Sequence, residues 1–157
     1  MEDFQEARLS AKKKFQIADH MLTVTYPLIK DTKLLLAIME NIFLSMTNAM
    51  NSVLYFERLY KTMPAFQESF ESRFSAFKQH CVPRHGIDKS YILDIQDIRE
   101  ILIEHKKSAM EFVRRDRFVI CAENYKIRTL SIADIKSYLP KAKLFIEEIE
   151  HITDKNA

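Results

Sequence analysis

The chain has 157 residues but one glycine, Gly86, and no tryptophan. A phosphate-cradling loop needs several glycines at fixed spacing, so P-loop and dinucleotide-binding readings fall away. One glycine and four prolines also supply too few tight turns for a sandwich or barrel of many short strands. The two cysteines, Cys81 and Cys121, make no disulfide framework. A reducing, cytoplasmic setting is the expectation. No CxxC, HExxH or Gly-x-Ser-x-Gly occurs. His80, Cys81 and His85 are neighbours without a matched ligand pair, so they read as residues at a helix end. Neither a metal nor a small-molecule cofactor is expected. The acidic N-terminus has no apolar core and does not read as a signal peptide. The most apolar stretch, Leu34 to Phe56, is interrupted by Glu40, Asn41, Asn48 and Asn51. It falls short of the roughly 18 to 20 clean residues a membrane span needs, so no membrane role is expected.

What is present reads as helix. Apolar residues make up 47% of the chain and charged residues 29%, a composition that supports one globular domain over residues 1–157. The pattern predicts an all-α fold: a bundle of four to five long helices with a small β-hairpin before the C-terminal helix. Helix one covers about Asp3 to Tyr26 and ends at Pro27, with Asp31 or Thr32 as the next N-cap. Helix two runs from about Lys33 to Tyr60 and is apolar on most sides, as a central helix would be. Helix three, about Ala65 to Val82, carries Phe66, Phe70, Phe74, Phe77 and Cys81 on one stripe, which reads as core. Helix four, about Asp88 to Lys106, has the stripe Tyr91, Ile95, Ile98 and Leu102, continued by His105. Its Asp94 and Asp97 read as a solvated face. Ser108 to Glu111 has the form of a capping box, so a short helix is expected there. Phe118–Cys121 and Tyr125–Thr129 then read as the two strands of a hairpin at about 117–130. Ser131 and Asp134 open helix five, which contains Pro140 and should kink there.

Two features invite function. Asn41, Ser45, Asn48 and Ser52 lie four, three and four apart on helix two and share one side. They fit either close helix packing or a polar seam, including a homodimer interface. The second feature is the segment Lys106 to Arg128, with seven cations against three acids, while the rest of the chain has 17 cations against 19 acids. Its cations are Lys106, Lys107, Arg114, Arg115, Arg117, Lys126 and Arg128. Alternation puts Lys126 and Arg128 on one strand face and Tyr125 and Ile127 on the other. Cations neutralise phosphates and neighbouring aromatics stack on unpaired bases, so RNA is the candidate partner. The other reading is a hairpin with its apolar face on the bundle and its charges in water.

Arg99 and His105 are separated by Glu-Ile-Leu-Ile-Glu. This resembles the Arg-x(4–6)-His motif of HEPN domains, all-helical modules that often form dimers and many of which are metal-independent RNA nucleases. The helical layout, the length and the polar line on helix two are also similar to that family, over about residues 3 to 153. The resemblance implies a dimeric RNA-associated protein. It implies that His105 moves protons at the RNA 2′-hydroxyl or leaving oxygen, and that Arg99 holds the phosphate. Six positions along an ideal helix set the two side chains roughly 120° apart, so they converge only near a helix end or across a dimer seam. His105 also fits a boundary histidine of the apolar stripe. The alternative for the whole chain is a non-enzymatic interaction or scaffold protein that binds through helix two.

Overall fold

Two of the four prolines sit near helix ends in the same local pattern. Thr25-Tyr26-Pro27-Leu28-Ile29-Lys30 matches Cys81-Val82-Pro83-Arg84-His85-Gly86 position for position. In each, a five-residue π-helical segment (Met21–Thr25 or Phe77–Cys81) precedes the proline, and a left-handed residue ends the helix three positions after it. A proline lacks the N–H that an α-turn needs and crowds the carbonyl four residues back. A wider π turn just before it relieves that crowding and lets the helix continue for one more turn. The left-handed position is Gly86 at φ 63° in one case and Lys30 at φ 56° in the other. The lone glycine therefore stands where positive φ costs nothing, and Lys30 adopts it despite its Cβ. Pro27 thus lies inside the first helix rather than ending it.

The computed structural model describes residues 2–60, 63–108, 110–114, 117–121 and 126–154, with the backbone alone at Met110, Phe112 and Val113. Five helical rods form the bundle. Helix α1 covers residues 3–29, α2 is Leu34–Leu59, α3 covers residues 70–85, α4 is Ser90–Lys107 and α5 is Ile132–Asp154. Between α4 and α5 lie β1 (Met110–Arg114), β2 (Arg117–Cys121) and β3 (Ile127–Ser131). The expected all-α class with a small hairpin before the last helix holds, and the hairpin gains a third strand. Strands β1, β2 and β3 form an antiparallel meander in that order. Strand β1 replaces the short helix expected near Ser108. Ser108 is extended, and its hydroxyl bonds back to the His105 carbonyl instead of opening a new helix.

Local chemistry sets the other boundaries. Asp31 Oδ1 accepts from the Lys33 N–H at 2.9 Å just before α2. Helix α3 begins later than its phenylalanine spacing suggests, because Ser69 is the residue that caps it, accepting from the Ser72 N–H. Ahead of α5 the reciprocal bonds of Ser131 and Asp134 are both present, at 3.2 and 2.9 Å. Pro140 lies within α5, which runs unbroken around it.

Helix α2 is central. Leu35, Ile38, Met39, Ile42, Met46 and Leu54 are among its fully buried side chains. Helix α1 is its most extensive neighbour, then α5 and α4. The phenylalanine stripe of α3 joins this core through Phe74 and Phe77, and Phe77 meets Phe145 of α5 edge-on at 5.9 Å. The sheet docks through Phe118, Ile120 and Leu130, which belong to the same core. No described helix is long and apolar enough to cross a membrane.

Candidate functional site

The polar line on α2 closes inward. Ser45 and Ser52 are completely buried, and Asn41 and Asn48 are half-buried. Each of the four donates to a carbonyl of its own helix. Asn41 and Asn48 reach Ala37 and Leu44 at 2.9 and 2.8 Å, while Ser45 and Ser52 reach Ile42 and Ala49 at 2.6 Å. The Asn41 amide also lies 3.8 Å from Met21 Sδ on α1. Small side chains whose polar atoms fold back on their own backbone allow close helix approach and leave nothing unsatisfied. Ser45 and Ser52 are thereby sealed inside the chain, and Asn41 and Asn48 keep part of their surface.

The sheet sorts the basic residues by face. In the register, Arg114 stands opposite Arg117, Phe118 opposite Leu130, and Ile120 opposite Arg128. Partners across an antiparallel pair share a face. Arg128 therefore lies on the same side as Phe118, Ile120 and Leu130, toward the bundle. There its Nε donates to Glu104 at 2.5 Å and its Nη2 lies 3.4 Å from Glu100. The hydrogen bond to Glu104, then the nearby acids, hold this guanidinium above its ordinary pKa. The neighbouring Ile127 faces outward and is 69% exposed. Strand β3 thus turns an arginine in and an isoleucine out, so Arg128 shares the otherwise apolar bundle face with Phe118, Ile120 and Leu130. The reason lies on α4: Glu100 and Glu104, one helical turn apart, supply the charge that Arg128 needs.

Arg114 and Arg117 remain on the opposite face and are exposed, as are Lys106 and Lys107 at the end of α4. Among the described residues no carboxylate pairs with any of these four. Lys126 is exposed and has an interaction of its own. Arg115 and Tyr125 lie outside the described residues.

Arg99 and His105 open on one cleft of about 820 Å³ between the first half of α2 and the second half of α4. Phe70 closes one end and Phe118 and Glu111 of the sheet the other. The two residues hold different partners. Arg99 Nη2 lies 2.5 Å from Glu71, and its guanidinium covers the Phe70 ring at 4.5 Å. His105 Nδ1 lies 2.5 Å from Glu111 Oε2, with its ring edge-on to Phe118. With Nδ1 bonded to the Glu111 carboxylate, the orientation of the ring is fixed. The Arg99–Glu71 pair is largely in water, so it is worth at most about 1 kcal/mol and exchanges readily. Eight of the fourteen lining residues are apolar, and Lys33, Glu40 and Lys106 complete the polar rim. Sequence reasoning missed this cleft. The sequence carries its signal: Lys33, Leu36, Ala37, Glu40, Phe43 and Leu44 form one face of α2.

Two other clusters are structural. Glu57, buried on α2, takes Arg84 Nη1 at 2.6 Å and His85 Nε2 at 2.5 Å. Burial, then the Glu57 charge, pushes the adjacent Cys81 thiol up to about 12, so it is no nucleophile at neutral pH. Asp94 is buried rather than solvated, 3.4 Å from Lys141 Nζ on α5. Burial above all raises its carboxyl pKa, with Lys141 opposing. Among the described residues, no group of three His, Cys, Asp or Glu is placed to hold a metal. No family model matches the chain, and no curated protein matches it.

Proposed function

We propose that this chain is a HEPN-like RNA-associated protein that engages phosphates through Lys106, Lys107, Arg114, Arg117 and Lys126. The observation that carries this reading is the pair Arg114 and Arg117, opposed across β1 and β2, exposed, and without a carboxylate among the described residues. Two guanidinium groups on one sheet face suit a phosphodiester backbone, whose binding is electrostatic and salt-dependent. Arg128 is not part of the set, because Glu100 and Glu104 already neutralise it. The test is retention of single-stranded RNA at low salt. The Arg114→Glu/Arg117→Glu variant is expected to bind about tenfold or more weakly, while Arg128→Gln binds like the parent. A parent that binds no RNA, or a charge-reversed variant that binds as well as the parent, refutes the reading.

RNA cleavage is a separable extension. His105 would act as the base through Nε2, and Arg99 would leave Glu71 to hold the phosphate. The apolar floor of the cleft offers little to a polar phosphodiester chain, so cleavage is the weaker part of this reading. Labelled RNA incubated with parent or His105→Ala, with chelator present, decides it. The interaction-protein alternative gains a second surface on α1, where Leu9, Ile17, Val24, Leu28 and Ile29 are exposed.

A further inference from the structure

The cleft between α2 and α4 shares Lys106 with the phosphate-binding set, but its apolar floor has a chemistry that set does not use. Leu36, Ala37, Phe43 and Leu44 line its α2 side, and Leu102 and Ile103 face them from α4. Lys33, Arg99 and Lys106 stand on the rim against two acids, Glu40 and Glu111. Glu111 is paired with His105 and Arg99 with Glu71, while Lys33, Lys106 and Glu40 make no ion pair among the described residues. The lining itself thus carries three cations against two carboxylates, an excess of one positive charge above an apolar floor. A volume of about 820 Å³ falls within the roughly 300 to 1,000 Å³ of small-molecule sites.

We propose that this cleft binds a small amphipathic anion, an unbranched apolar chain ending in a carboxylate or phosphate group. The chain would lie on the leucine and phenylalanine floor, where apolar surface leaves water. The head would reach Arg99, whose exposed bond to Glu71 is cheap to exchange, with Lys33 and Lys106 adding charge. A cationic amphiphile meets three like charges at the rim, and a nucleic-acid strand has no apolar chain to bury. The proposal does not rest on the RNA reading, and its test contains no RNA.

The experiment is displacement of anilinonaphthalene sulfonate from the full chain by dodecanoate, by dodecyl phosphate and by dodecyltrimethylammonium, all below their micelle concentrations. Saturable displacement by either anion and none by the ammonium compound is expected; the two anions tell a carboxylate head from a phosphate head. Ala37→Trp fills the floor and should weaken binding more than tenfold. Arg99→Gln should weaken it about tenfold, the loss of one charge-assisted contact. Circular dichroism and the thermal midpoint establish folding, and Leu44→Gln on the same floor replaces Ala37→Trp if that variant does not fold. Non-saturable displacement, equal displacement by the ammonium compound, or parent-like binding by a folded Ala37→Trp overturns the proposal. So does a concentration-dependent dimer that Ala37→Trp abolishes, which would assign the cleft to a second copy.

Discussion

Helix α2 has two unlike faces, roughly 110° apart around its axis. On one, Asn41, Ser45, Asn48 and Ser52 are small, bond to their own backbone, and let α1 lie close. On the other, Ala37, Phe43 and Leu44 are apolar and only half-buried, and a cleft stays open before α4. Polarity by itself misleads about which face meets the outside. A short hydroxyl or amide that satisfies itself within its helix can be sealed at little cost. An apolar face stays open where no neighbouring helix is positioned to cover it. Ser45 and Ser52 of the polar line are interior, whereas Ala37, Phe43 and Leu44 of the apolar face line an open cleft.

The largest expected effect comes from forcing bulk into the sealed face. Ser52→Leu should destabilise by about 3 kcal/mol in urea unfolding, because the Ser52 side chain is completely buried and a larger one has no room. Ala37→Leu, the same kind of enlargement on the open face, should change stability by about 0.5 kcal/mol or less. Equal losses at the two positions would end the distinction between the faces. A smaller effect is expected at Asn48, half-buried and bonded to the Leu44 carbonyl, where Asn48→Ala should cost about 1 kcal/mol or less.

Asp94 sharpens the comparison because it is polar and buried but cannot satisfy itself within its helix; it relies on Lys141 of α5. Burial raises its folded pKa above the ordinary 3.8. The folded state then binds the proton more tightly than the unfolded chain, so stability from this group is present below about pH 3.8 and is lost as pH rises through the folded pKa. Asp94→Asn removes that loss. The variant should melt at a slightly higher temperature than the parent at pH 7, by about 1 to 3 °C, and this advantage should vanish near pH 3.5. A parent that stays more stable at pH 7 would mean that Lys141 outweighs burial.

Much of the bundle was legible because helical periodicity is a strong signal. Ile95 and Ile98 on α4 and Phe74 and Phe77 on α3 are buried as their spacing requires. The reciprocal cap of Ser131 and Asp134 was readable from two residues. Pro27 misled, because its usual penalty is relieved by a π turn that no composition rule signals. Glu111 misled in another way. It fits a cap three residues after Ser108, yet its carboxylate serves His105, a tertiary choice that no local pattern records. Arg128 was legible as a cation, but its direction depended on Glu100 and Glu104 being beneath it. The cleft was hidden for the same reason: a continuous apolar helix shows which residues are greasy and not which of them another helix covers.

Thiol labelling tests the two-faced account most directly. In a Cys121→Ser background, where Cys81 remains as a fully buried internal control, a cysteine is placed at Ala37 in one protein and at Ser52 in another. The account predicts that the position-37 thiol reacts with a water-soluble disulfide reagent in the native state and is protected by dodecanoate. The position-52 thiol should react only at the rate of unfolding. Fast labelling at 52, or a position-37 thiol that stays unreactive in the native state without dodecanoate, would contradict it.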